Sequence, residues 1–300
     1  IDRNMYPITS AERSNTRHRP VGIGVQALAD ALIAMRIVYD SPEGIQMDRD
    51  IFETIYYAAV SASCDLAAES SPYETFPGSP MSEGLFQFDL WNETEAVYAN
   101  GRYGRAKWEA LKARVKEKGV RNSLLVAPMP TATTSQILGN FTESFQPLPS
   151  VLYQRRTLSG DFVLCHPQFI RDMIDQGKWD RKMLSKIEFN NGTLEGIEGI
   201  PDDVRRLYRS CWEMKQRFVV DHSVARGPFI CQSQSMNIFM ENPTSAKLTA
   251  LHFYTWSHGL KTGMYYLRSQ SKTHTIKFGA ESGLSSSRDA SLEECETCGS

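Results

Sequence analysis

Residues 123–140 read SLLVAPMPTATTSQILGN, and the way this stretch is parsed decides the fold class. Ser123-Leu124-Leu125-Val126-Ala127 is a continuous apolar run too short for a helix, which suits a strand buried on both faces. Pro128-Met129-Pro130 cannot continue a ladder and turns the chain. The Thr-rich segment after it opens a predicted helix. Strand, turn and helix in that order are the grammar of an α/β fold. Upstream, a charged amphipathic helix presents Trp108, Leu111 and Val115 inward and ends at Gly119, the residue type that tolerates a left-handed C-terminus.

Further out, the apolar spacing predicts helices over 21–36, with Pro20 in the first turn, and over 48–69, with Asp48 or Asp50 as cap. More helices are expected near 167–178, 201–226 and 243–260, and strand-like runs at 235–240 and 262–267. Residues 71–106 carry four of their breakers within Pro72–Pro80 and read as loop with short elements. Beyond about residue 270 the apolar pattern fades, and 279–294 is Gly-, Ser-, Asp- and Glu-rich, the composition of a flexible tail.

Apolar content of 41% and charge of 23% over 300 residues support a globular core. The net charge of −2 and the scatter of Lys and Arg argue against a nucleic-acid groove. No run approaches the roughly 18–20 apolar residues that a membrane span needs. The first residues, Ile-Asp-Arg-Asn-Met, carry neither a signal segment nor an initiator Met. The expectation is a cytoplasmic protein that begins upstream of Ile1. The thin spread of six cysteines fits a reducing compartment better than a disulfide framework.

Four motifs could carry chemistry. Gly22-Ile-Gly24-Val-Gln-Ala27 matches a dinucleotide fingerprint, but Arg17-His-Arg-Pro20 before it is no strand, so glycines for close helix packing are the better reading. Thr131, Thr133 and Thr134 stand at a helix start, where free amides and hydroxyls can cradle a phosphate; a plain Thr N-cap is the alternative. Tyr265-Tyr266 in a strand would ordinarily be core, the two rings on opposite faces. Cys295-x-x-Cys298 has the spacing of a redox dithiol, or of half a zinc site lacking its second pair of ligands.

The spacing from Trp108 through Leu111, Gly119-Val-Arg-Asn122 and Val126-Ala127 to Pro130 resembles the signature of class I ribonucleotide reductase large subunits, in their eukaryotic or large-DNA-virus form. RHRPVGIGVQALADA, APMPTATTSQILGN, YQRRTLSGDF, SQSMNIF, LHFYTW, GLKTGMYYLR and the terminal CETCGS extend that resemblance over essentially the whole chain. The fold it implies is α/β: residues 1–270 as the second half of a ten-stranded barrel, with 271–300 as a flexible tail. The function it implies is reduction of ribonucleoside diphosphates to 2′-deoxyribonucleoside diphosphates. A non-catalytic homologue acting as a binding protein is the alternative.

By the same resemblance, Thr131, Ala132 (through its backbone N–H), Thr133 and Thr134 hold the substrate diphosphate. Tyr265 and Tyr266 pass an oxidising equivalent, and Cys295 and Cys298 shuttle thiols. The implied partners are the metal-bearing small subunit, thioredoxin or glutaredoxin as reductant, and further large subunits. No metal or other cofactor is expected on these residues, and the ATP and dNTP effectors belong to a regulatory domain not among them. The family's Asn-x-Cys-x-Glu loop is also missing, so no radical or acid/base catalyst is assigned. The 300 residues alone should be inactive.

Overall fold

The computed structural model describes residues 1–157 and 160–269. In chain order the helices are α1 (Thr9–His18), α2 (Leu28–Ala34), α3 (Pro42–Glu69), α4 (Gln87–Leu90), α5 (Thr94–Asn100), α6 (Gly104–Lys118) and α7 (Ala132–Ile137). A hairpin of β1 (Leu152–Thr157) and β2 (Gly160–Cys165) follows, then α8 (Pro167–Asp175), α9 (Arg181–Phe189), α10 (Asp202–Leu207) and α11 (Arg217–Arg226). The last described elements are β3 (Asn237–Phe239), α12 (Ser245–Ser257) and β4 (Tyr266–Arg268).

Extended segments far apart in sequence lie side by side. Val21 and Ile23 donate their amides to Leu124 O and Leu125 O at 3.0 and 2.7 Å, in a parallel bridge between Ile23 and Val126. On the other side, Cys231 N reaches Val126 O at 3.0 Å and Ser235 N reaches Pro128 O at 3.2 Å. Leu125 and Val126 are both buried, as a strand covered on two faces requires. The next step is the parallel pair β3–β4, with α12 as its crossover. This is α/β architecture, and no closed barrel is formed among the described residues.

Three expectations need correction. Residues 21–27 are not helical: α2 is only Leu28–Ala34, and the preceding segment is extended. The glycines serve that segment, because a Cβ at Gly24 would meet Ala127 O at 3.2 Å and the Pro128 Cα at 3.3 Å. They allow close approach of two extended chains, not of helices. Second, α3 begins at Pro42, capped by Ser41, whose hydroxyl accepts from Gly44 N at 3.0 Å. Asp48 lies inside the helix, fully buried. Third, the single helix expected over 201–226 is two, α10 and α11, separated by a turn in which Tyr208 and Cys211 are buried. The hairpin β1–β2 and helix α9 are not evident from the sequence pattern.

Three apolar clusters hold these elements. The first packs α3 on α6 through Phe52, Tyr56, Trp108, Leu111 and Val115, with Phe86, Phe88 and Phe229 against them. Gly119 ends α6 at φ +75°, as its position suggested. The second gathers α8, α9 and α10 around Phe169, Met173, Ile187 and Tyr208. The third joins α2, α11, β3 and α12 through Leu32, Val219, Val220, Ile238 and Leu251. Each fully buried Leu, Val or Phe contributes about 1.5–3 kcal/mol. Among the described residues, no helix is long and apolar enough to cross a membrane.

Candidate functional site

Residues 131–134 form the turn between the buried strand segment and α7. Thr131 is buried in a left-handed conformation, φ +53°, and its hydroxyl makes no N-terminal cap. That hydroxyl is 2.8 Å from Ser135 Oγ and accepts from Ser144 N at 2.8 Å. Ala132, Thr133 and Thr134 are exposed. Thr134 Oγ1 accepts from Gln26 Nε2 at 3.0 Å, and Gln26 Oε1 accepts from Asn140 Nδ2 at 3.3 Å. Helix α7 is only six residues long, so any anion here is held by amides and hydroxyls more than by a summed helix dipole. Gly139, at φ +74°, turns the chain after it.

A second layer lies behind that turn. Asp30, on α2, accepts from Phe141 N at 2.8 Å and Thr142 N at 3.2 Å. Leu28 N donates to Ser144 O at 2.9 Å, and Ser144 itself sits at φ +45°. Burial raises the Asp30 carboxyl pKa, but the His166 and Thr142 side chains and the two amides outweigh it and hold the group below the usual carboxylate value. Gln26, Asp30, Asn140 and Ser144 carried no local signal. They sit in stretches whose apolar spacing draws attention elsewhere.

The tyrosine pair is placed differently. Tyr265 precedes β4 and Tyr266 begins it, so the rings do not lie on opposite faces as two strand residues would. Their centroids are 4.3 Å apart at 64°, and both are about half exposed. A hydrogen bond with Tyr266 is the main cause that holds the Tyr265 phenol above its ordinary value. The Arg268 guanidinium lies over the Tyr266 ring at 4.9 Å. Tyr265 N is anchored to Met236 O at 2.7 Å and Met240 N to Arg268 O at 2.9 Å, so backbone ladders fix the pair.

Another cluster of charged residues has no solvent contact. Asp48 Oδ2 meets His222 Nδ1 at 2.8 Å and the Arg226 guanidinium at 2.5 Å, all three residues fully buried. His222 stacks on Tyr39, and its Nε2 faces Tyr39 O at 2.8 Å. Arg226 Nε donates to Gln234 Oε1 at 2.7 Å, while Gln234 Nε2 donates to Ser223 O. The cluster therefore ties α3 and α11 to the segment that leads into β3.

Cys64, Cys165, Cys211 and Cys231 are free thiols; burial raises the pKa of each, that of Cys165 to about 11. They are poor nucleophiles at neutral pH. Cys295, Cys298 and the expected tail 271–300 lie outside the described residues. Among the described residues, no group of three His, Cys, Asp or Glu side chains is arranged to hold a metal ion.

The family described as ribonucleotide reductase, barrel domain, matches residues 1–266. The ribonucleoside-diphosphate reductase large chain of Cryptosporidium parvum is 48% identical over 297 residues, 99% of this chain and 36% of that protein. The corresponding large subunit of Arabidopsis thaliana is 52% identical over 284 residues, 95% of this chain and 34% of that one. The chain thus spans about a third of the length of the curated relatives it matches. Among solved structures, the Actinobacillus ureae class Id ribonucleotide reductase alpha subunit superposes with a TM-score of 0.68 at 24% identity, covering 90% of this chain and 42% of that one, a likeness of fold. With the barrel-domain match reaching from the first residue to Tyr266, this chain belongs to the ribonucleotide reductase barrel-domain family.

Proposed function

We propose that this chain supplies the C-terminal part of the catalytic barrel in the large subunit of a ribonucleoside-diphosphate reductase. The observation that carries this reading is identity of about half with proteins of that name over nearly all of these residues. The reaction replaces the ribose 2′-hydroxyl by hydrogen, releasing water, while a dithiol becomes a disulfide. In that scheme Ala132, Thr133 and Thr134 bind the diphosphate through amides and hydroxyls, with Thr131 shaping the turn from inside.

Tyr265 and Tyr266 relay an oxidising equivalent received from the small subunit. A phenol that is protonated at pH 7 must lose its electron and proton together, and the close contact of the two rings supports such coupled transfer. The radical cysteine and its acid/base partners belong to other residues of the large subunit. Cys295 and Cys298 pass electrons from thioredoxin or glutaredoxin, a role that fits a cytoplasmic, reducing setting. ATP and dNTP effectors act at a regulatory domain outside this chain, and large subunits associate with one another.

The test uses a full-length large subunit carrying this segment. Cys295→Ser with Cys298→Ser should abolish repeated turnover driven by thioredoxin. A single turnover by pre-reduced enzyme should survive, as should turnover with a small diffusible dithiol. Normal thioredoxin-driven turnover in the double variant would refute the shuttle.

A further inference from the structure

The segment 131–134 is held from outside as well as by its own contacts with Ser135. Its one buried hydroxyl, that of Thr131, is fixed by Ser144 N, and Ser144 is fixed in turn by Leu28 N. Two residues before Ser144, the Asp30 carboxylate gathers the adjacent amides of Phe141 and Thr142. A carboxylate accepting two neighbouring N–H groups makes charge-assisted bonds, stronger than bonds between neutral groups. Both attachments come from the first turn of α2, whose Leu28, Ala29, Leu32 and Ile33 are buried. The loop 139–146 is thus gripped from a rigid element, and through it the turn at 131.

The far side of Asp30 is enclosed. Its second oxygen, Oδ1, is buried without a hydrogen-bond partner, 3.7 Å from His166 Nε2, and His166 is packed between Phe141 and Tyr208 with ring centroids at 4.7 and 5.4 Å. His166 stands at the junction of β2 and α8, next to the second apolar cluster. Nothing in this arrangement touches the exposed face of Thr133 or Thr134. Its reach is one shell deeper.

We propose that Asp30 is the positioning residue for substrate diphosphate: through the 141–144 loop it sets the left-handed turn at Thr131 that presents the amides of 132–134. The proposal rests on the reading of 131–134 as the diphosphate segment, and the experiment separates the two. Full-length large subunit, with its small subunit and a dithiol reductant, is assayed with cytidine diphosphate. Asp30 would touch no substrate, so its removal acts only by misplacing the amides of 132–134, an effect on the order of one ordinary hydrogen bond: Asp30→Ala should raise KM about tenfold and leave kcat within about threefold. Asp30→Asn, which keeps one acceptor for the two amides, should fall between Asp30→Ala and the unaltered enzyme.

Thr133→Val with Thr134→Val is measured alongside. An unchanged KM in that variant means that 131–134 does not bind the diphosphate, and the underlying reading fails. A raised KM there with no change in Asp30→Ala refutes the positioning role alone. A fall in kcat without a change in KM for Asp30→Ala, or equal losses for the Ala and Asn variants, also overturns it, because general disorder of the fold would produce that pattern.

Discussion

The 131–134 turn and the Tyr265–Tyr266 pair are supported in opposite ways. The turn is held by neutral and charge-assisted hydrogen bonds from one neighbouring segment, 26–30, and from the loop that follows it. The phenols stand half exposed on a three-residue parallel ladder, touching each other and Arg268, with their anchorage in the backbone. A group that must orient a doubly charged ligand gains from a frame that fixes each donor. A group that must give up an electron and proton gains from a neighbouring oxygen and from the freedom to exchange that proton. The structural difference is the one that the two proposed tasks would require.

The strongest way to break this comparison is to remove one oxygen from the pair. Tyr265→Phe or Tyr266→Phe keeps the ring, so packing should survive while turnover of the full-length enzyme falls to background and substrate still binds. If both Phe variants turned over normally, the pair would be ordinary packing residues, and the contrast with 131–134 would lose its meaning.

A smaller effect sharpens it. Asp48→Ala leaves Arg226 and His222 buried without their carboxylate, a loss that typically costs about 3–5 kcal/mol. We expect a matching fall in the midpoint of urea unfolding. The environment of the tyrosines should loosen more than that of Thr133 and Thr134, measured by hydrogen exchange at β4 and at α7. Equal protection losses at both places would show that the cluster supports the whole fold and not the ladder in particular.

The mildest effect is on the acid side. In Asp172, burial is outweighed by hydrogen bonds from Tyr208, Arg36 and Gln168, so its carboxyl, like that of Asp30, is held below the ordinary value. A depressed carboxyl contributes stability that is present above the unfolded pKa, about 3.9, and is lost as pH falls through the folded value. Unfolding midpoints should therefore hold steady above about pH 5 and decline below about pH 4, by at most about 1.4 kcal/mol per pH unit for each group. Asp172→Asn should flatten part of that decline; an unchanged slope would mean that Asp172 is not among the groups responsible.

What the sequence made legible follows from how local the cause was. The extended, buried segment at Leu125–Val126 (a bridge and not a full strand), the inward Trp108, Leu111 and Val115, the stop at Gly119 and the helix before the tyrosines all rest on neighbours within a turn or two. Residues 21–27 are ambiguous in sequence because their apolar residues fit a helix face as well as a buried extended segment. What decides between the two is Ile23 bridging to Val126, a hundred residues away. Asp48 looked like a cap because a carboxylate near a helix start usually is one, and its true partners His222 and Arg226 belong to α11. The same distance hid Asp30, whose ligands are amides and leave no mark on side-chain patterns. The hairpin β1–β2 is rich in charged and polar residues and shows no apolar alternation that would set it apart.

The register of the β3–β4 ladder has a consequence for how the chain can change. Asn237 pairs with Tyr266, and a strand shows alternate residues to alternate sides. If one residue were added to or removed from 258–264 and the strand slipped with it, Tyr265 or Leu267 would stand opposite Asn237 in place of Tyr266. Two residues would restore the sides but shift the pair by about 6.6 Å along the strand. Against such a slip stand the bonds from Tyr265 N to Met236 O and from Met240 N to Arg268 O, and the packing of Leu267 on the third cluster, so an inserted residue would meet resistance from the ladder that a substitution in the loop would not.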